Sequence, residues 1–104
     1  MWILQSSQPG GDPWTFRLRS GAIRTVGRAP RADFILDAAL VSRVHCRLTA
    51  RDDSVEVVDL SSTNGTFVND KRVKKATLAP GDRLRVGRVV LTVEKRVMAR
   101  SEMD

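Results

Sequence analysis

Three short segments carry the side chains able to do chemistry: Thr25-Val26-Gly27-Arg28, Ser42-Arg43-Val44-His45, and Ser61-Ser62-Thr63-Asn64-Gly65-Thr66. Between them they offer two guanidinium groups, hydroxyls, one imidazole and one side-chain amide. Arg28 follows a glycine where a strand hands over to a loop, and its planar fork of donors can bind two phosphate oxygens at once. Ser42 can donate its hydroxyl to the same anion, and Arg43 adds positive charge. The amide of Asn64 can donate to and accept from one extended peptide backbone. Such a set suits gripping a phosphate and a main chain. It suits bond cleavage poorly, because no carboxylate and nucleophile accompany His45.

Each residue also has a plainer reading. Arg28 could be a surface arginine beside a turn, and Val86-Gly87-Arg88 repeats the same Val-Gly-Arg string without any such company. Arg88 is therefore an internal control with no assigned role. Asn64-Gly65 could be an ordinary hairpin turn. The peptide-holding reading gains from the segments that precede it, Ser-Arg-x-His and then Asp-Leu-Ser-Ser-Thr. Strand alternation places His45 with Arg43 and Arg47 on one face and Cys46 with Leu48 on the other. His45 then ties the loop by hydrogen bonds to backbone.

The elements that must position these groups are short strands. Trp2-Ile3-Leu4 opens the chain, and Gln8 to Pro13 breaks it. Thr15 to Arg19 alternates with period two, and Ala22 to Val26 ends at Gly27. Phe34 to Leu36, Val44 to Thr49, Val55 to Leu60, Thr66 to Val68, Lys71 to Val73, Arg83 to Val86 and Val89 to Glu94 follow, with turn residues between them. This predicts an all-β fold of two antiparallel sheets packed face to face. Phe16, Phe34 and Phe67 fall in strand runs and read as core. Residues 1–95 form one domain, and residues 96–104, poor in apolar anchors, read as a flexible tail or the start of a linker.

Bulk properties narrow the class. The 104 residues suffice for one domain, and 41 % hydrophobic with 29 % charged residues is a globular balance. No apolar run approaches the roughly 20 residues of a membrane helix, and the amino terminus lacks the pattern of a signal peptide. A cytosolic or nuclear protein is expected, with no membrane partner. One cysteine, Cys46, excludes an internal disulfide and a cysteine-based zinc site; no metal, cofactor or catalytic residue is expected. A formal charge of +6 favours an anionic partner. Nucleic acid is the alternative ligand, but single-strand binders need aromatic platforms, and aromatics make up only 5 % of the chain.

In order and spacing, Gly27-Arg28, Ser42-Arg43-Val44-His45, Ser62-Thr63-Asn64-Gly65-Thr66 and Pro80-Gly81-Asp82-Arg83-Leu84 with Gly87 resemble the forkhead-associated (FHA) domain family. The resemblance runs from Trp2 to Glu94. It implies a β-sandwich of about eleven strands that reads phosphothreonine in a partner protein or peptide. It further implies that Arg28 and Ser42 bind the phosphate with help from Thr63, that Asn64 holds the peptide backbone, and that Gly27, His45 and Gly65 shape the loops. Arg43 counts among the phosphopeptide-binding residues, and acidic residues flanking the phosphothreonine are expected to meet Arg31, Lys71 and Arg72. The Met1-Trp2 start and Gly10-Gly11-Asp12-Pro13-Trp14 look like the amino terminus of nibrin-like DNA-repair adaptors, which would make the setting nuclear and the role a DNA-damage response. An adaptor in bacterial Ser/Thr-kinase signalling is the other setting, with a cytoplasmic location.

Overall fold

Period-two alternation becomes burial in the computed structural model, which describes residues 1–6 and 13–96. In β2 (Thr15–Leu18), Phe16 and Leu18 point inward while Arg17 faces solvent. Of the other strands, β5 (Cys46–Ala50), β10 (Arg83–Val86) and most of β11 (Val89–Lys95) follow the same logic. The rest, β1 (Trp2–Ser6), β3 (Ile23–Gly27), β4 (Phe34–Ile35), β6 (Val55–Asp59), β7 (Thr66–Val68), β8 (Lys71–Val73) and β9 (Lys75–Leu78), follow it less strictly, β1 burying three residues in a row. One sheet has six strands in the order β2-β1-β11-β10-β7-β8, and the other has five in the order β4-β3-β5-β6-β9. Among the described residues there is no helix, hence none long and apolar enough to cross a membrane.

The core lies between the sheets. Leu4, Leu18, Leu84 and Leu91 from the six-stranded sheet meet Leu48, Val55, Val57 and Leu78 from the other, all fully buried. Each such leucine contributes about 1.5–3 kcal/mol by leaving water. Trp2 is also buried, and its indole N–H donates to the Arg51 carbonyl at 2.8 Å, so the polar end of the ring ties one sheet to the other. At the open edge, Phe16 of β2 stacks on Phe34 of β4 with ring centroids 4.6 Å apart.

The structure departs from the sequence expectations at several points. The sheets are antiparallel except that β4 runs parallel to β3, with Val26 beside Phe34 and Gly27 beside Ile35. The loop between them turns back on itself because Asp33 is tied to Thr25: its carboxylate accepts the Thr25 N–H at 2.9 Å, and its own N–H donates to Thr25 Oγ1 at 3.1 Å. Strand β9 went unforeseen, since Lys75-Ala76-Thr77-Leu78 buries only one end fully. Phe67 is not core. It is half-buried on the outer face of its sheet, beneath the guanidinium of Arg85 at 4.0 Å. Asn64-Gly65 is no hairpin turn, because β6 and β7 lie in different sheets and the segment crosses between them. Two-residue hairpin turns come later, at Gly87-Arg88 and at Asn69-Asp70; in the latter both residues take positive φ (48° and 71°), as a type I′ turn requires.

The ends of the domain meet. β1 pairs with β11 along its whole length, and Arg96, assigned to the tail, donates its N–H to the Met1 carbonyl at 2.8 Å. Residues 97–104 and the Gly10-Gly11-Asp12 stretch lie outside the described residues.

Candidate functional site

Three loops converge at one end of the sandwich: the one after β3, the one between β4 and β5, and the crossing between β6 and β7. They enclose an open groove of about 760 Å³ lined by Arg28, Arg31, Leu40, Val41, Ser42, Arg43, Thr63 and Asn64, among others. The structure thus brings together the five residues expected to bind the phosphopeptide, Arg28, Ser42, Arg43, Thr63 and Asn64, with Arg31 beside them, whereas Lys71 and Arg72, expected at acidic flanks, do not line the groove. Arg88 does not line it and is exposed in the β10–β11 hairpin, whose Gly87 packs against Ala39 and Val41 of the groove loop.

Backbone contacts lock the first two loops. The N–H of Arg28 donates to the Ser42 carbonyl at 2.9 Å, and that of Ala29 to the Arg43 carbonyl at 3.1 Å. Gly27 makes this approach possible. A Cβ there would sit 2.1 Å from the Arg43 carbonyl oxygen, far inside contact distance. The glycine is therefore a steric requirement rather than a turn signal.

His45 joins the loops from below. It precedes β5 and is fully buried, whereas Arg43 and Arg47 are exposed, so the expected common face does not form. Strand alternation fails because β5 begins only at Cys46: the His45 N–H still donates to the Val26 carbonyl of β3 at 2.8 Å, but the residues before it bond to the turn after β3. The Ser42 N–H donates to Nδ1 of His45 at 3.0 Å, which makes that nitrogen an acceptor and puts the ring proton on Nε2. Nε2–H then donates to the Gly65 carbonyl at 2.9 Å. With both nitrogens engaged, the imidazole has no free position for proton transfer. Gly65 supports the geometry with φ at +90°, a conformation other residues rarely adopt.

Asp59 is the site-forming residue that sequence reasoning missed. Its carboxylate accepts from the Ser62 hydroxyl, the Ser62 N–H at 3.2 Å and the Thr66 hydroxyl at 2.7 Å. Ser62 Oγ in turn accepts the Gly65 N–H at 3.0 Å. Partial burial pushes the Asp59 carboxyl up, but the hydrogen bonds from Ser62 and Thr66, with the nearby His45, outweigh it and hold the carboxyl below its ordinary range. The Asp-x-x-Ser spacing was a signal for such a turn.

The groove side chains keep donors free. Ser42 Oγ accepts the Thr63 N–H at 3.0 Å, so its own hydrogen can turn toward the groove. Arg28 uses Nε to hold the Val41 carbonyl at 3.2 Å, which orients the fork and leaves its terminal nitrogens open. Asn64 donates from Nδ2 to the Leu40 carbonyl at 3.2 Å, bridging two loops while its amide oxygen stays free. Leu40 takes a positive φ of 68°, uncommon for a leucine, which turns its carbonyl toward Asn64. Among the described residues the ion pairs are Lys75–Glu56 and Lys95–Asp53, so Arg28, Arg31 and Arg43 face the groove without a carboxylate partner. No cluster of metal-ligating side chains occurs among these residues.

A two-sheet sandwich presenting unpaired guanidiniums and a poised hydroxyl at one loop end is a ligand-binding module suited to an anion. Residues 24–87 match the FHA domain family model, and the chain belongs to that family. It is 42 % identical over 67 residues to the glycogen accumulation regulator GarA of Mycobacterium tuberculosis, a match covering 64 % of this chain and 41 % of that one. The FHA domain of CT664 from Chlamydia trachomatis superposes with a TM-score of 0.86 at 26 % identity, covering 92 % of this chain and 98 % of that one. The FhaA FHA domain, solved with the intracellular domain of Rv3910, gives 0.79 at 35 % identity, covering 90 % and 100 %. The chain spans less than half the length of GarA. These bacterial relatives lend no support to the resemblance to nibrin-like repair adaptors, or to the nuclear, DNA-damage setting that came with it.

Proposed function

We propose that this domain binds phosphothreonine-containing segments of partner proteins and acts as an adaptor in bacterial Ser/Thr-kinase signalling, in the cytoplasm. The observation that carries the reading is the set of three arginines that line the groove with Ser42 and have no carboxylate partner among the described residues. Arg28 and Ser42 hold the phosphate, Arg43 and Arg31 add field, the Thr63 N–H fixes the serine rotamer, and Asn64 receives the peptide main chain. A hydrogen bond to a charged group contributes about 1.5–3 kcal/mol, so a few of them suffice for a peptide ligand. Membership of the FHA family and likeness to the FhaA domain, solved with an intracellular domain, support the adaptor role.

The test compares phosphothreonine, phosphoserine and unmodified forms of one peptide by calorimetry, with single-stranded DNA beside them at two salt concentrations. Phosphothreonine should bind best. The lost methyl of phosphoserine costs about 0.8 kcal/mol by transfer alone, and more if the branched residue holds the phosphate rotamer. Binding should weaken below about pH 6, where the phosphate takes up its second proton. Tight, steeply salt-dependent DNA binding without preference for a phosphorylated peptide would replace this reading with the nucleic-acid one.

A further inference from the structure

The outer face of the six-stranded sheet carries a row of side chains that neither the core nor the groove uses. Strand register sets Arg72 opposite Phe67, Phe67 opposite Arg85, and Arg85 opposite Val90. None of the four lines the groove. The Arg85 guanidinium lies over the Phe67 ring, 4.0 Å from its centroid. Arg72 is exposed and reaches back over Gly65, where its Nε would stand 2.7 Å from a Cβ. Val90 is 40 % exposed, unusual for a valine in the longest strand. Arg83 faces the same way in the next row, opposite Thr92.

None of these arginines forms an ion pair among the described residues. Glu94, the outward carboxylate of β11, is four residues from Val90 and pairs across to Ile3 instead. Positive charge therefore surrounds an apolar centre on a surface that the described residues do not cover. Arginine and aromatic residues are enriched at the centres of protein interfaces. A guanidinium already laid on a ring loses little freedom when it meets a carboxylate.

We propose that this face is a second docking surface, independent of phosphate, for a protein segment presenting carboxylates around an apolar side chain. The Arg85 guanidinium, laid over Phe67, and Arg72 on the strand next to that ring offer donors to carboxylates, and the exposed Val90 opposite Arg85 offers the apolar contact. Nucleic acid fits less well. Base stacking needs an open ring face, and Arg85 covers the outward face of Phe67.

The test titrates ¹⁵N-labelled protein with the unphosphorylated peptide Glu-Glu-Leu-Glu-Glu and, separately, with oligothymidylate, following amide shifts. The peptide should move Phe67, Arg72, Arg85 and Val90. Arg85→Glu should weaken it at least tenfold while phosphothreonine-peptide affinity stays unchanged. If Arg85→Glu loses the dispersed spectrum of a folded domain, the paired variant Arg72→Gln with Val90→Ser changes only exposed positions and should weaken the peptide at least threefold. Unchanged affinity in that variant, shifts confined to the Arg28 groove, an absence of shifts, or oligothymidylate binding as tightly as the peptide would each overturn the proposal.

Discussion

The Nε2 of His45 lies 2.9 Å from the carbonyl oxygen of Gly65, twenty residues further along the chain. Through Nδ1 the same ring holds the Ser42 N–H. One buried imidazole thus fixes the spacing between the loop bearing Ser42 and Arg43 and the loop bearing Thr63 and Asn64. It does not itself line the open groove.

His45→Ala should therefore act through stability. It leaves a part-buried N–H and a buried carbonyl without partners, the latter costing about 1–3 kcal/mol, and opens a cavity beside them. Thermal unfolding should shift downward by many degrees, and phosphopeptide affinity should fall with it. An unchanged melting temperature with lost binding would make His45 a ligand contact instead.

Arg28→Ala should leave the melting temperature nearly unchanged and weaken phosphothreonine-peptide binding about tenfold to a hundredfold or more, the loss expected for a charged hydrogen bond. Arg88→Ala, in the same Val-Gly-Arg string but outside the groove lining, should bind as the parent does. Calorimetry of both variants decides the point, and equal losses would remove Arg28 from the site.

Asp59 ties acid stability to the loop. Its folded carboxyl titrates below the ordinary value of 3.8, so the unfolded chain takes up the proton first as pH falls. Its contribution is complete above the unfolded value and disappears as pH drops through the folded one. Asp59→Ala should accordingly be destabilised by a constant amount from about pH 5 to 8, and the gap to the parent should narrow below about pH 4. Urea unfolding at a series of pH values measures it.

Cys46 should be inert. Burial, with the Asp59 charge nearby, pushes its thiol up to about 12, and none of its surface reaches solvent. A thiol reagent at pH 8 should label it only in denaturant. Rapid labelling of the native domain would mean that β5 opens locally.

Much of this protein is legible along the chain. Alternation in segments such as Thr15–Leu18 and Arg83–Val86 reveals strands, because side chains on a pleated backbone point alternately to core and solvent. The residues gathered around the groove were also readable, since guanidinium, hydroxyl and amide at strand ends carry their chemistry wherever they are placed. What the tertiary structure alone decided is which partners they meet. The burial of His45 depends on loops brought together by both sheets, and local alternation cannot see it. Gly27 is required by a carbonyl sixteen residues away in sequence, and the Asp59 hub by a crossing between sheets that reads locally as a hairpin turn. Phe67 looked like core because periodicity marks a strand without saying which face its neighbours cover. Local pattern reflects backbone geometry, whereas hydrogen-bond partners and covered faces are set by long-range packing, and only the assembled sandwich specifies those.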